Sequence, residues 1–365
     1  MPFEEKEPEM PEDKSPFETV IVSPSRKRDQ NRLFMVGIIG AIIVAFGLLF
    51  LLINSLSKTP FDYFEQGANC AAQQDYDCAV KNYDEAIAAK PDFAEAYKHR
   101  AGAFYAQSNF EKAVEDYSRA IEFNPNDANS FYGRGVAFYH RGEYDRAIED
   151  YTQAVSLNPQ DHSFVYNRGL AYFDKGDFAK AIEEYTTVIK LNPNYAEAYN
   201  NRGNAFDEQR KNNQAIEDYT KAIELKPDFA LAYSNRGTSY ARKGNYDRAI
   251  EDLSRALELD PNLSTSYFNR ANIYYLKNDF EQAFADYTRA IELNPNNALA
   301  YSNRGVIHSK NGNHAQAIED YSRAIELNPQ DAQSYYSRAL AFERIGNSER
   351  AKADRQRYDE LNKKP

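Results

Sequence analysis

The 365-residue chain carries a formal charge of −11 and no tryptophan, yet it has 28 tyrosines and 22 phenylalanines, so its aromatic volume comes from single rings used many times over. A field of that sign repels phosphate backbones, which excludes nucleic acid as a favoured partner. Two or three unrelated domains are the ordinary expectation at this length, and internal repetition is the first alternative to weigh.

Residues 1–32 hold Glu4, Glu5, Glu7, Glu9, Glu12 and Asp13 among several prolines, with too little apolar surface to order themselves, and read as a disordered cytoplasmic tail. Residues 33–53, LFMVGIIGAIIVAFGLLFLLI, contain no charge. At about 1.5 Å per residue such a run crosses a hydrocarbon core of about 30 Å, so the segment is predicted to be a transmembrane helix. It is too long for the apolar part of a signal peptide and is not followed by a small-residue cleavage site, so it is expected to stay as an anchor. Arg26, Lys27, Arg28 and Arg32 precede it and only Lys58 follows closely. This asymmetry puts the N-terminus in the cytoplasm and everything after the 54–59 linker outside, which is the periplasm if the membrane is the inner membrane of a bacterium with two. The basic stretch also suits anionic headgroups. Gly37, Ala41 and Ala45 are spaced so that two anchors can pack into a weak homodimer, although small residues facing lipid would read the same way.

From there on the chain is periodic. Prolines stand at 91, 125, 159, 193, 227, 261, 295 and 329, each 34 residues after the last. With proline at position 32 of a unit, nine units begin at 60, 94, 128, 162, 196, 230, 264, 298 and 332 and fill residues 60–365. In the unit starting at Ala128, Phe131, Gly135 and Phe138 step by four and then three, and so do Ala147, Tyr151 and Ala154. Each triplet forms one stripe on a helix. Arg141-Gly142-Glu143 separates the stripes as a turn, and proline ends the second helix. Asp92, Asn126, Asn194 and Asp228, just after the prolines, are placed to cap the next helix. One hairpin cannot cover its own apolar face, so neighbours must stack. The expected fold is all-α, an α-solenoid of nine helix-turn-helix repeats following one N-terminal transmembrane helix.

An aromatic at position 4, Gly or Ala at 8, an aromatic at 11, Ala at 20, an aromatic at 24, Ala at 27 and Pro at 32 recur nearly throughout. This pattern resembles the tetratricopeptide repeat family over residues 60–365. The resemblance implies a scaffold that binds proteins or peptides. Local departures are Cys70 and His308 at position 11, Leu253 at 24, and Arg210 and Asn278 in place of the turn glycine. The family's clamp for C-terminal carboxylates needs a Lys and Asn arrangement that no run of units supplies.

Positions 2, 6, 9 and 13 face away from the apolar stripe of the first helix and should line a groove. Position 6 holds Asn167, Asn201, Asn235, Asn269 and Asn303 in five successive units, with Asn204 and Asn272 beside them at position 9. An amide both donates and accepts, so such a row can hold the backbone of an extended peptide whatever its side chains. The row resembles the asparagine ladder of O-linked N-acetylglucosamine transferases, which implies peptide-backbone binding. Simple duplication of one unit would leave the same row. Tyr132, Tyr139, Tyr166 and Phe173 crowd the earlier wall, either as ligand anchors or as packing between first helices.

Arg100, Arg134, Arg168, Arg202, Arg236, Arg270, Arg304 and Arg338 recur at position 7, and Asp116, Asp150, Asp218, Asp252, Asp286, Asp320 and Asp354 at position 23. Both lie at the edge of the buried stripe, which predicts ion pairs between helices. Cys70 and Cys78 flank the first turn. An oxidising exterior permits a disulfide there, and two buried thiols are the alternative. The five histidines fall at five different repeat positions and make no metal-ligand spacing, and no catalytic motif or non-repeat segment is present. The chain therefore reads as no enzyme, needing no cofactor or metal. It reads instead as an anchored scaffold for a protein or peptide ligand. The alternatives are a precursor-import receptor with cytosolic repeats and a substrate-presenting partner subunit of a glycosyltransferase.

Overall fold

A computed structural model describes residues 58–363; the predicted tail and the membrane helix over 33–53 lie outside the described residues. Contacts divide the chain after Asp62. Of the first unit, the described part opens a helix at Pro60. There Asp62 accepts from the Thr59 backbone N–H at 2.6 Å, and the Asp62 N–H donates to Thr59 Oγ1 at 3.2 Å, a reciprocal cap. Among the described residues no helix is long and apolar enough to cross a membrane.

The second unit is built of paired helices. Among the described residues there are eighteen helices, from Pro60–Ala72 to Ser348–Asn362. In every repeat the first helix fills positions 1–13 and the second starts at 17, as in Ala196–Glu208 and Asn212–Leu225. The spacing of the prolines is thus the spacing of the hairpins. Each second helix also packs on the first helix of the next repeat. Successive first helices touch one another, and second helices do not to the same extent, so first helices form the inner face of the ribbon.

The core is built from small residues. Alanine at position 20 is buried in all nine repeats, from Ala79 to Ala351. Glycine at position 8 lets the position-24 tyrosine lie against the helix backbone: a Cβ on Gly203 would stand 2.6 Å from Tyr219 Cε1. The first-helix positions that disappear from water are 3, 8 and 10, as in Ala198, Gly203 and Ala205. The aromatics at position 4, expected in the buried stripe, are only half-buried at Tyr199, Tyr233 and Tyr267, because their rings reach the edge and lie under an arginine. Arg202, for example, sits 5.7 Å from the Tyr199 ring centre.

These arginines are the polar ties of the array. Nε and Nη2 of Arg134, Arg202, Arg236, Arg270, Arg304 and Arg338 clasp the two carboxylate oxygens of the aspartate sixteen residues on, at 2.7–2.9 Å. Nη1 reaches back to a Ser or Thr sixteen residues earlier, as from Arg236 to Thr220 at 3.1 Å. One side chain therefore joins three helices of two repeats.

The capping residues lie elsewhere than expected. Asp92, Asn126, Asn194 and Asp228 sit one residue before the true N-cap positions, which are Phe93, Asp127, Tyr195 and Phe229 and make no side-chain cap bond. After the proline the chain spends one more residue on a turn, closed by Phe93 N–H on the Lys90 carbonyl at 3.1 Å, and Phe93 itself is buried. Side-chain caps close five second helices, where Asp75, Asn109, Asp177, Asp279 and Asn347 each accept from the N–H three residues on, and two further first helices, where Asp161 accepts from the Ser163 N–H and Asn297 from the Ala300 N–H.

Candidate functional site

The inner face carries the asparagine row, and its amides are not idle. Asn167 donates to Tyr132 Oη at 3.1 Å and Asn201 to Tyr166 Oη at 2.8 Å. Asn235 donates to Asn200 Oδ1 at 3.1 Å and Asn204 Oδ1 at 3.0 Å, Asn269 to Thr238 Oγ1 at 3.1 Å, and Asn303 to Asn272 Oδ1 at 3.0 Å. Each of these partners belongs to the preceding repeat. The row is thus also a seam between repeats, which spends part of each amide.

This seam leaves a defined remainder. Among the described residues nothing donates to Oδ1 of Asn167, Asn235, Asn269 or Asn303, and none of these oxygens is a buried orphan. Asn204 and Asn272 are the complement: each Oδ1 is taken, by Tyr219 Oη at 2.8 Å and Tyr287 Oη at 2.6 Å as well as by the next asparagine, while each NH2 keeps its donors. The pairs Asn204/Asn235 and Asn272/Asn303 therefore each present one donor group and one acceptor to the groove. A peptide unit offers the reverse, one carbonyl and one N–H.

Around the first pair the groove opens into a cavity of about 370 Å³ lined by Phe173, Asn204, Asp207, Asn235 and Asn269. Asp207 stands at position 12, where the other repeats have a ring or a small residue except for Glu343 in the last. It accepts from Ser239 Oγ at 2.5 Å, and Arg242 lies 3.3 Å away. Burial lifts its carboxyl above the usual carboxylate range, against the pull of Ser239 and Arg242. A second cavity, of about 280 Å³, lies beside Asn272, Tyr275, Leu276, Tyr287, Asn303 and Val306. Leu231 and Leu299, at position 2, are 51% and 57% exposed. Sequence reasoning passed over these leucines; their recurrence at position 2 was the available signal.

The earlier wall is more closed than a row of free anchors. Tyr132 packs on Phe164 with ring centres 5.0 Å apart, and Tyr166 on Tyr195 at 5.0 Å. Tyr139 donates to Asp174, and Phe173 meets Phe178 edge-on at 5.3 Å. Cys70 and Cys78 are bonded across the first turn, their Cα atoms 5.7 Å apart.

Family models described as TPR repeat match residues 101–140, 137–176, 169–209 and 271–312, and models described as Tetratricopeptide repeat match 196–229, 230–263, 298–331 and 321–353. The chain belongs to the tetratricopeptide repeat family. Its fold is similar to that of a tetratricopeptide repeat protein from Parabacteroides merdae, with 21% identity, a TM-score of 0.54, and coverage of 70% of this chain and 98% of that one. It is also similar to the C-terminal part of a TPR repeat-containing protein from Cytophaga hutchinsonii, with 20% identity, a TM-score of 0.54, and coverage of 65% and 97%. YrrB, described as a TPR protein with an unusual peptide-binding site, matches 52% of this chain over 97% of its own at 23% identity and a TM-score of 0.45. No curated protein matches the chain. The tetratricopeptide array is a scaffold-like fold, and the inner face just described is its open side.

Proposed function

We propose that this tetratricopeptide protein is a membrane-anchored, non-catalytic scaffold that holds an extended polypeptide in the groove of its first helices. The reading is carried by the two asparagine pairs, Asn204/Asn235 and Asn272/Asn303, whose unspent donors and acceptors match those of a backbone peptide unit. Two such pairs in one groove favour a ligand with a regular backbone over a compact surface. Leu231 and Leu299 add apolar contact at the rim for side chains of the ligand.

The uncharged run 33–53 supplies the anchor in this reading, and the basic flank before it sets the N-terminus in the cytoplasm. The repeats then work outside the inner membrane as an assembly or adaptor factor. The Cys70–Cys78 bond suits an oxidising compartment of that kind.

A photoreactive residue placed at Leu231 or Leu299 in the full anchored chain tests the groove. The expected result is capture of the same polypeptides from both positions, and none from Gln214 on the exposed side of a second helix. Equal capture at all three sites contradicts it. Labelling of a cysteine placed at Gln214, from either side of sealed vesicles, tests the orientation independently.

A further inference from the structure

The inner face holds a further cavity of about 620 Å³ between the first three repeats, next to the start of the asparagine row, since Tyr132 of its lining accepts from Asn167. Its lining includes Tyr83, His99, Tyr105, Tyr117 and Tyr132, with Ala71 and Tyr76 from the turn that the disulfide closes. Two glycines make the space. Gly102 occupies position 9 and Gly133 position 6, the two places that carry the paired asparagines further along.

The seventh repeat shows how a tyrosine is held when its cleft is blocked. There Ala271 at position 8 also denies its tyrosine the glycine cleft, yet Tyr287 stays buried, because its hydroxyl donates to Asn272 and accepts from Asn303. In the second repeat Ala101 denies the cleft, and Gly102 and Gly133 offer no polar group. Tyr117 instead lies over Gly133, where a Cβ would stand 2.4 Å from Cζ of its ring. Tyr83, Tyr151, Tyr185, Tyr219, Tyr287 and Tyr321 are fully buried at position 24, whereas Tyr117 is partly exposed and faces the cavity.

The chemistry of the lining is aromatic and effectively uncharged. Lys98 is held by Glu95 at 2.7 Å and Asp127 at 3.2 Å, and burial lowers the His99 pKa so that the ring stays neutral. The Tyr83 hydroxyl is buried without a hydrogen-bond partner, and burial pushes both Tyr83 and Tyr117 up to about 12, so both remain donors at neutral pH. A charged group entering here would meet Lys98 already paired with two carboxylates. A ring with a polar edge would find ring faces and hydroxyls.

We infer that the cavity between the first three repeats is a specificity pocket for an aromatic side chain of the bound polypeptide, formed because glycine at 102 and 133 replaces the asparagine seam and releases Tyr117 into the groove. The inference rests on the groove reading above: the asparagine pairs hold backbone, and this pocket selects a residue.

The protein has no tryptophan, so the emission of a tryptophan-containing peptide reports the ligand alone. The test uses the full chain in detergent micelles, which add no indole, and two blocked serine-rich peptides that differ only by Trp or Ala at the centre. The Trp peptide should bind with blue-shifted emission, and the Ala peptide should compete at least about tenfold more weakly. Gly102→Leu fills the cavity. A Cβ there meets nothing nearer than the Tyr117 hydroxyl at 3.8 Å, and leucine favours a helix over glycine. This variant should melt no lower than the parent, lose the blue shift, and bind both peptides alike. Equal binding of the two peptides by the parent without a blue shift overturns the pocket and leaves the groove. Undiminished Trp binding by Gly102→Leu overturns its location. Binding of neither peptide overturns the groove reading and the pocket with it.

Discussion

Arg202 and Asp218, on opposite helices of the fifth hairpin, meet through two parallel hydrogen bonds of 2.7 Å, while Arg202 Nη1 holds Thr186 of the repeat before at 3.1 Å. The aspartate side chain is 8% exposed and the arginine 18%, so water replaces little of what the pair provides. Truncating Asp218 to Ala should cost about 3 kcal/mol, since it strands a half-buried guanidinium. In a double-mutant cycle of Arg202→Met and Asp218→Leu the coupling should exceed about 1 kcal/mol. Amide exchange in the fourth and fifth repeats is the suitable readout, because a repeat array need not melt as one unit.

The fourth repeat has a weaker version of the same tie. Glu184 replaces aspartate there, and only Arg168 Nη2 is bonded to it, at 2.9 Å, leaving Nε buried without a partner. The extra methylene puts the carboxylate out of step with the guanidinium fork. Glu184→Asp should therefore stabilise the protein by about 1 kcal/mol, measured by urea unfolding.

Turn conformation sets a third expectation. The residue at position 15 is left-handed in every repeat, with φ +75° at Gly244 but also 60° at Arg210. A side chain at this angle costs roughly 1 kcal/mol that glycine avoids. Arg210→Gly should raise stability by about that amount, and Gly244→Ala should lower it by a similar step. Matched denaturation curves with unchanged m-values would bear this out.

Asp207 gives the fold a pH dependence. Burial raises its carboxyl above the ordinary 3.8, so the folded protein holds this proton more tightly than the unfolded chain does. Stability from this group is present below the unfolded value and is lost as pH rises from there through the folded value. The amide of an Asp207→Asn variant does not titrate, so the stability of that variant relative to the parent should climb as pH rises above the unfolded value and then level off. A constant or falling difference across that range would contradict the argument.

Much of the fold was legible because the sequence states it many times. Eight prolines at one spacing fixed every hairpin, and arginines and aspartates at one edge announced their pairing. The capping residues were misjudged because the one extra turn residue, Phe93 in the first joint, is set by tertiary burial of its ring and not by local preference. The asparagine row was visible, but its use was not. Whether an amide is spent depends on positions 5 and 9 of the neighbouring repeat, which come together only when the hairpins stack. Tyr117 was hidden for the same reason. The signal was the coincidence of Ala rather than Gly at 101 with Gly102 and Gly133 at one joint. The anchor, read from 33–53, lies outside the described residues and stays with the proposal.

The most direct test of backbone recognition is a methylation scan of a peptide bound in the groove. Each backbone N–H is N-methylated in turn, each side chain is separately cut to Ala, and affinities for the full chain are measured. If Asn235 and Asn303 accept from the ligand's backbone, two methylations in register with those residues should each weaken binding by about tenfold, whereas most side-chain truncations should not. Binding that tolerates methylation at every position, and depends on side chains alone, would contradict the account.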